Sequence, residues 1–263
     1  MNQHDWLGTL RSQSQCELRD GVWYCKCGLP LAEEGIMCGA CAEASRQAHE
    51  RAERDRRRKE WVESKTRIIE RAKSQLPVWP HTQNRQAFEA TVSTPVLRKA
   101  AEQYTLEKGS GVFLGKSGDG KTSLLIRIAV RLLDEALARV LAMPHDQDAL
   151  IWMHDISRLV WTTGCNLARA SSEHRLGSGG EPELFRRALE APLLMIDELG
   201  PEAPQHGGEI FDLVDRRYAK GRPTLVTSGL TLDKERYGDA FHRRLTESGR
   251  GFLIDVHKRR TDG

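Results

Sequence analysis

The hydrophobic and polar positions divide the chain into a charged N-terminal part and a C-terminal part that contains short apolar runs. Each run is bounded by glycine, proline or polar residues, which is typical of strands buried in a parallel sheet. The predicted strands are Gly111–Gly115, Ala149–Met153, Pro192–Glu198, Pro223–Thr227 and Gly251–Val256. Helices are predicted near Ile156–Ala170, Glu209–Ala219 and Leu232–Glu247. This alternation predicts an α/β fold with a five-stranded parallel sheet covered by helices on both faces.

A long helix is predicted over Ala42–Leu76, a highly charged segment that contains no glycine or proline. Its apolar face is thin and consists mainly of Trp61, Val62, Ile68 and Ile69. A helix that is polar nearly all round usually bridges domains or lies on a surface, and we favour a solvated linker over a nucleic-acid contact. Pro77 and Pro80 end it. The predicted domains are therefore residues 1–41, 42–77 and 78–263.

Composition and net charge by themselves exclude few classes of function. The 263 residues carry a formal net charge of +3, which is too small to indicate nucleic-acid binding, although basic residues cluster at Arg54–Lys59, Phe185–Arg187 and His257–Arg260. The first ten residues have no apolar core and no basic lead, so no signal peptide is expected. No apolar run approaches the roughly 18–20 residues that span a bilayer. We therefore expect a cytoplasmic protein.

Four cysteines near the N-terminus have the spacing of metal ligands. Cys25-x-Cys27 and Cys38-x-x-Cys41 form two pairs joined by a loop, which suits a tetrahedral zinc site in a small ribbon. Cys16 could replace a member of the first pair, and reduced cysteines without metal are the alternative reading. Four thiolates leave no open position for chemistry, so such a zinc site is structural.

A glycine-rich segment follows the first predicted strand. Gly115–Thr122 reads GKSGDGKT and fits G-x-x-x-x-G-K-[ST], and the apolar helix SLLIRIAVRLL comes next. In this context backbone N–H groups and the helix N-terminus can bind the phosphates of ATP. Lys121 would reach the β- and γ-phosphates, and the Thr122 hydroxyl would ligate Mg²⁺. The predicted nucleotide-binding residues here are Gly115, Lys116, Ser117, Gly118, Asp119, Gly120, Lys121, Thr122 and Ser123.

Two carboxylates end the apolar run PLLMIDE at Pro192–Glu198. Asp197 is placed to hold Mg²⁺ through water, and Glu198 is placed to polarise an attacking water molecule. The alternative is a pair of solvent-exposed loop acids. It is disfavoured because the apolar strand delivers both residues to the edge of the sheet where ligands bind in open α/β folds.

Four further segments carry a family resemblance. They are IDELG at Ile196–Gly200, DRRY at Asp215–Tyr218, RPTLVTSGL at Arg222–Leu230 and FHRRL at Phe241–Leu245. From about Val78 to the end, the chain closely resembles the AAA+ ATPases of the DnaC/IstB type, which include replicative-helicase loaders and transposition helper ATPases. The resemblance implies a P-loop ATPase core that assembles side by side into a spiral and handles single-stranded DNA. The short stretch after the last predicted strand leaves no room for a C-terminal lid, as in that group.

The resemblance also implies roles for two arginines and shows one departure. By position in the motif, Arg244 would be an arginine finger that reaches the γ-phosphate held by a neighbouring subunit, and Arg217 would contribute to the same interface. The family usually reads TSN after the fourth strand, where the polar residue senses the γ-phosphate, but this chain has Thr227-Ser228-Gly229. Either Thr227 or Ser228, which we include among the nucleotide contacts, takes that role, or hydrolysis is slow.

The segment between Cys165 and Phe185 is a candidate DNA contact. Gly177–Gly180 predicts a flexible loop, at a position that resembles the extra DNA-facing helix of replication-initiator relatives. The candidate phosphate contacts are Arg169, Arg175, Arg186 and Arg187, with solvated surface arginines as the alternative. Cys165 is predicted to be a buried helix residue.

The zinc module and charged helix in front of the ATPase core resemble helicase loaders whose N-terminal zinc module docks on the replicative helicase. We therefore expect a helicase loader in DNA replication that binds the helicase through residues before about Leu76 and also binds single-stranded DNA. One alternative is a transposition helper ATPase that binds DNA as a filament. Another is an ATP-gated, non-hydrolysing adaptor that only tethers a partner.

Overall fold

The computed structural model describes residues 17–31, 38–77, 86, 88, 89, 92, 95–144, 146–175, 182–200, 206–229, 234–247 and 251–255. The chain divides into two compact units, Met1–Ser64 and Lys65–Gly263. This division falls inside a continuous helix, Gly39–Lys73. The domain boundaries expected after residues 41 and 77 stay predictions.

The first unit contains a small antiparallel sheet and most of that helix. Strands β1 (Glu17–Arg19), β2 (Val22–Tyr24) and β3 (Pro30–Leu31) lie in the order β1-β2-β3. Asp20 and Gly21 join β1 to β2 with φ values of 49° and 79°. Two consecutive positive φ values match the right-handed twist of a two-residue hairpin. Helix α1 (Gly39–Lys73) then confirms the long charged helix.

The second unit is an α/β sheet domain. Its remaining helices are α2 (Pro95–Gln103), α3 (Lys121–Ala142), α4 (Gln147–Ile156), α5 (Gly164–Arg175), α6 (Glu183–Glu190), α7 (Gly207–Ala219) and α8 (Lys234–Thr246). Its strands are β4 (Ser110–Leu114), β5 (Val160–Thr163), β6 (Leu194–Asp197), β7 (Thr224–Ser228) and β8 (Gly251–Asp255). A short 3-10 turn covers Leu106–Lys108.

The five strands form one parallel sheet in the order β5-β6-β7-β4-β8. Strands β4, β6 and β7 are buried along their whole length, as expected for a sheet covered on both faces. Helices α5 to α8 bury apolar side chains in one cluster with these strands. In α3, residues Ile128, Leu132, Ala136 and Val140 are buried at four-residue spacing, which fixes an amphipathic helix.

The predicted strand at Ala149–Met153 is wrong, because this run lies within α4. The Asp146 carboxylate caps the helix by accepting a hydrogen bond of 3.1 Å from the Ala149 N–H. Ala149 and Met153 are buried, whereas Ile151 between them is 59% exposed, as helical rather than strand periodicity requires. A short apolar run fits either structure, and here the cap and the helical burial pattern decide.

The fifth strand lies instead at Val160–Thr163, inside the stretch near Ile156–Ala170 that was predicted as helix. That prediction is correct only from Gly164, where α5 begins. The other four strands are confirmed with small changes at their ends. Within the described residues, no helix is long and apolar enough to cross a membrane.

Candidate functional site

The carboxyl ends of three adjacent strands bring the predicted site segments together. Strand β7 lies between β4 and β6. Leu114 at the end of β4 pairs with Ser228 at the end of β7. Asp197 ends β6 on the other side of β7. The glycine-rich loop, the two acids and the Thr-Ser-Gly segment therefore meet at the edge where open parallel sheets bind ligands.

The glycine-rich loop has the backbone of a phosphate cradle. Gly118 and Gly120 adopt left-handed φ values of +87° and +85°. A Cβ on Gly120 would lie only 2.7 Å from Cγ2 of Val92, so both its conformation and its packing require glycine. Gly120 leads directly into α3, whose first N–H groups favour an anion. A parallel sheet with this loop between β4 and α3 confirms the predicted α/β P-loop fold.

The Lys121 ammonium lies against this loop. It donates hydrogen bonds of 2.7 Å to the carbonyl oxygens of Gly115 and Lys116. Partial burial lowers the pKa of Lys121 from its ordinary value. Three carboxylates oppose that shift, namely Asp119, Asp197 and Glu198. The ammonium is thus held at the loop, within a field of negative charge, in the place where phosphates would bind.

The Asp197 carboxylate is buried and held on both sides. The Thr122 hydroxyl donates to Oδ2 at 2.8 Å, and the Thr227 hydroxyl donates to Oδ1 at 2.5 Å. Asp197 is 4% exposed, and Thr227 is fully buried. The acid therefore links the start of α3 to the end of β7 in a fixed orientation.

Glu198 leaves the strand in an unusual conformation. Its φ of 53° places it in the left-handed region, which non-glycine residues seldom adopt. Its N–H donates to the Thr227 hydroxyl oxygen at 2.9 Å. The Glu198 side chain is exposed, so water can reach its carboxylate beside the phosphate loop.

The end of β7 offers few free donors. The Ser228 hydroxyl donates to the Leu199 carbonyl at 2.7 Å, and the Thr227 hydroxyl donates to Asp197. A hydroxyl has one proton to donate, so in this arrangement each is committed to the protein. The nucleotide contact of Ser228 stays a prediction. Among the described residues, a Cβ added at Gly229 would meet only the Gly115 carbonyl oxygen, at 3.9 Å, so this part of the site leaves room for a side chain.

The oxygen atoms of Thr122 and Asp197 are suited to bind a magnesium ion. Mg²⁺ in nucleotide sites takes one or two protein oxygens together with water and substrate phosphates. The Thr122 hydroxyl gives its proton to Asp197, which leaves its lone pairs available to a cation. Thr122 as a direct ligand and Asp197 as a ligand through water are therefore chemically suited to this metal.

Arg244 is held by helix α7. Its Nε donates to Oδ1 of Asp215 at 2.6 Å, and its Cζ lies 4.5 Å from the centre of the Tyr218 ring. The Tyr218 hydroxyl bonds in turn to Glu247. The bond to Asp215 raises the pKa of Arg244, which keeps it cationic. Sequence reasoning missed Asp215 as the partner of Arg244, and the finger role of Arg244 stays a prediction.

The interface role predicted for Arg217 is wrong. Its side chain is fully buried, so it cannot reach a neighbouring subunit. Its guanidinium donates to five oxygens: the Thr224 hydroxyl and the carbonyls of Ala188, Leu189, Ala191 and Pro223. Burial, with a smaller contribution from Arg222, lowers the pKa of Arg217 to about 9. Arg217 therefore ties the end of α6 to the beginning of β7.

The four predicted zinc ligands come together in the first unit. Their sulfur atoms all lie within 4.8 Å of one another. A tetrahedral zinc with Zn–S distances of about 2.3 Å separates its sulfurs by about 3.8 Å, so the cluster fits zinc. Backbone N–H groups of Cys38 and Cys27 lower the pKa of Cys25 to about 6, whereas hydrogen bonds with Cys25, Cys27 and Cys38 raise the pKa of Cys41. Cys16 lies outside the described residues.

The candidate DNA contacts are partly described. Arg169, Arg186 and Arg187 are exposed, and Arg186 pairs with Glu183 on the same helix. Arg175 ends α5, but its side chain lies outside the described part, as does the loop at Gly177–Gly180. Cys165 lies on α5 as predicted, but it is exposed, so its predicted burial is wrong.

Comparison with known proteins found similar solved structures, whereas no protein-family model and no curated protein matches the chain. The structure of the DnaC helicase loader is similar at 18% identity and a TM-score of 0.39, covering 68% of this chain and 93% of that one. A DnaI structure matches at 18% identity and a TM-score of 0.38, covering 71% and 96%. AMPPCP-bound DnaA from Aquifex aeolicus matches at 21% identity and a TM-score of 0.41, covering 69% and 48%.

Proposed function

We propose that this protein is an ATP-dependent helicase loader in DNA replication, with ATP hydrolysed at interfaces between its subunits. The observation that supports ATPase activity is that Lys121, Thr122 and Asp197 lie together at the carboxyl edge of the sheet. The loader assignment rests on the segments that resemble DnaC/IstB-type ATPases and on the cysteine cluster in front of them.

In the proposed reaction, the loop N–H groups and Lys121 bind the β- and γ-phosphates of ATP. A magnesium ion bound beside Thr122 and Asp197 would neutralise charge on these phosphates. The exposed Glu198 carboxylate orients a water molecule toward the γ-phosphorus. Water forms the new P–O bond as the bond to the bridging oxygen breaks, which gives ADP and phosphate. Arg244 of a neighbouring subunit stabilises the developing charge.

We assign one proposed partner to each of the two units. In the proposal, Cys25, Cys27, Cys38 and Cys41 bind zinc, and the resulting ribbon docks on a replicative helicase. The exposed Arg169, Arg186 and Arg187 contact the backbone of single-stranded DNA. The cytoplasm is the compartment where such a protein works.

A non-hydrolysing, ATP-gated adaptor is the second candidate, because the β7 end favours slow hydrolysis. Gly229 has no side chain to sense the γ-phosphate, and the Thr227 and Ser228 hydroxyls already donate to Asp197 and to Leu199. In that case ATP binding would control partner binding without turnover. Phosphate release measured with the partner and single-stranded DNA present separates the two.

The experiment that tests hydrolysis between subunits mixes two inactive variants. Arg244→Ala lacks the finger, and Glu198→Gln lacks the acid that orients water. A mixed interface can pair an intact finger with an intact acid, so mixtures should release phosphate faster than either variant alone. An arginine finger is worth about 10³–10⁵ in rate in well-studied NTPases.

If no mixture exceeds its parents while both variants still assemble with ATP, hydrolysis in trans is refuted. Assembly is measured by light scattering with and without ATP. The loader assignment is tested separately, by capture of a replicative helicase on the immobilised protein. Capture of a transposase instead would favour the transposition helper.

A further inference from the structure

The Thr227 hydroxyl makes hydrogen bonds with two consecutive acidic residues, Asp197 and Glu198. It lies at the carboxyl end of β7, next to β6, and is fully buried. Its hydroxyl donates to Oδ1 of Asp197 at 2.5 Å and accepts from the Glu198 N–H at 2.9 Å. The hydroxyl proton of Thr227 and one lone pair of its oxygen are thus used by Asp197 and Glu198, two consecutive residues at the end of β6.

The two oxygens of Asp197 have different partners. Oδ2 accepts from Thr122, the predicted magnesium ligand, and Oδ1 accepts from Thr227. Rotation of the carboxylate would break both bonds, so Thr227 fixes the direction in which Oδ2 faces. Threonine suits this because its branched Cβ restricts the hydroxyl to few rotamers.

The bond to Glu198 acts on the backbone. Glu198 has a φ of 53°, a conformation that persists only where its surroundings impose it. The Thr227 hydroxyl is the acceptor of the N–H at this residue. The turn that directs the Glu198 side chain out of the sheet is therefore tied to the same threonine.

We propose that Thr227 is a positioning residue for the magnesium-binding side of the site, and that it makes no contact with phosphate. It orients Asp197 toward the cation and fixes the turn at Glu198. Its single proton is given to Asp197, so it has none for the γ-phosphate. This inference rests on the proposed ATP and magnesium site and deepens it.

The test compares Thr227→Val, which keeps the shape and removes the hydroxyl, with Thr227→Ser, which keeps the hydroxyl. Thr224→Val is the matched control, because Thr224 is buried on the same strand but bonds to Arg217 instead. Binding of a fluorescent non-hydrolysable ATP analogue is titrated in EDTA and over a range of Mg²⁺ concentrations. Circular dichroism checks that each variant is folded.

In EDTA, all variants should bind the analogue as the wild type does. Thr227→Val should need about 10–100-fold more Mg²⁺ to gain affinity, as is usual when a partner of a metal ligand is lost. Thr227→Ser should recover most of this, and Thr224→Val should show the wild-type Mg²⁺ dependence. If Thr227→Val does not fold, Thr227→Cys replaces it, because a thiol is a weak hydrogen-bonding group.

A wild-type Mg²⁺ dependence in the variant lacking the hydroxyl overturns the inference while the proposed function stands. An equal shift in the Mg²⁺ dependence of Thr224→Val also overturns the inference. Loss of any buried hydroxyl on β7 would then have the same effect. A wild-type protein that binds no analogue at any Mg²⁺ concentration overturns the proposed function together with the inference.

Discussion

Arg217→Met is the sharpest test of what a buried arginine does here. Methionine has a similar length and a good helix propensity, so α7 itself should persist. The change removes every hydrogen bond that the guanidinium donates to the end of α6, to Ala191 and to the start of β7. The Leu189 carbonyl keeps a bond from Arg222 and the Pro223 carbonyl keeps one from the Leu194 N–H, whereas the Ala188 and Ala191 carbonyls lose the donor that Arg217 supplies.

The magnitude follows from those oxygens. Each buried acceptor left without a partner costs about 1–3 kcal/mol, and a hydrogen bond made by a charged group contributes about 1.5–3 kcal/mol. Removal of the buried charge offsets part of the sum. We expect the free energy of unfolding to fall by about 3–5 kcal/mol, out of a total of about 5–15 kcal/mol for a typical domain. At about 2–4 °C per kcal/mol, the melting temperature should fall by about 6–20 °C.

The assay is urea unfolding followed by circular dichroism, with Arg216→Met as the control. Arg216 is the neighbouring arginine on α7, and it pairs with Asp212 on the surface, so its loss should cost at most about 1 kcal/mol. Arg217→Lys should also be destabilised, because an ammonium cannot span the same acceptors. A stability within 1 kcal/mol of wild type, together with loss of ATP-dependent assembly, would refute this reasoning and restore the interface role.

Three further predictions concern the nucleotide and cysteine sites. Lys121→Ala should abolish ATP binding in calorimetric titration with little change in the unfolding transition, since it removes a partly buried phosphate contact at the start of α3. Gly229→Asn should raise the rate of phosphate release, because its amide could donate to the γ-phosphate and the space beside the Gly115 carbonyl admits a side chain. The wild-type protein should carry about one zinc per chain by elemental analysis. Cys38→Ser combined with Cys41→Ser should remove the zinc and unfold the first unit, while ATP binding persists.

Each of these has a clear contrary result. Wild-type ATP affinity in Lys121→Ala would remove the phosphate role of the loop. Gly229→Ala is the control for Gly229→Asn. Equal rates of phosphate release in the two variants would show that the missing amide does not limit turnover. A metal-free wild type would refute the zinc site, and a metal-free double variant that still captures the helicase would place the docking surface elsewhere.

The sequence alone determined the features that are local in the chain. The phosphate loop is contiguous from Gly115 to Thr122, and its glycines, lysine and threonine are set by backbone geometry and phosphate chemistry at that one place. Asp197 is the last residue of an apolar strand, so its place at the sheet edge was also predictable. The four cysteines were predictable for the same reason, since their short spacings limit how far apart they can lie.

Tertiary structure decided whatever depends on partners distant in sequence. The run at Ala149–Met153 is apolar enough for a strand, but a cap and helical packing made it a helix. Arg217 looked like a surface arginine, and only the fold brings the carbonyl oxygens that satisfy it to its side chain. Thr227 was one of two candidates for the phosphate sensor, and the order of strands placed its hydroxyl against Asp197. A residue type specifies which bonds it can make, but the packing of the sheet and helices decides which partner it meets.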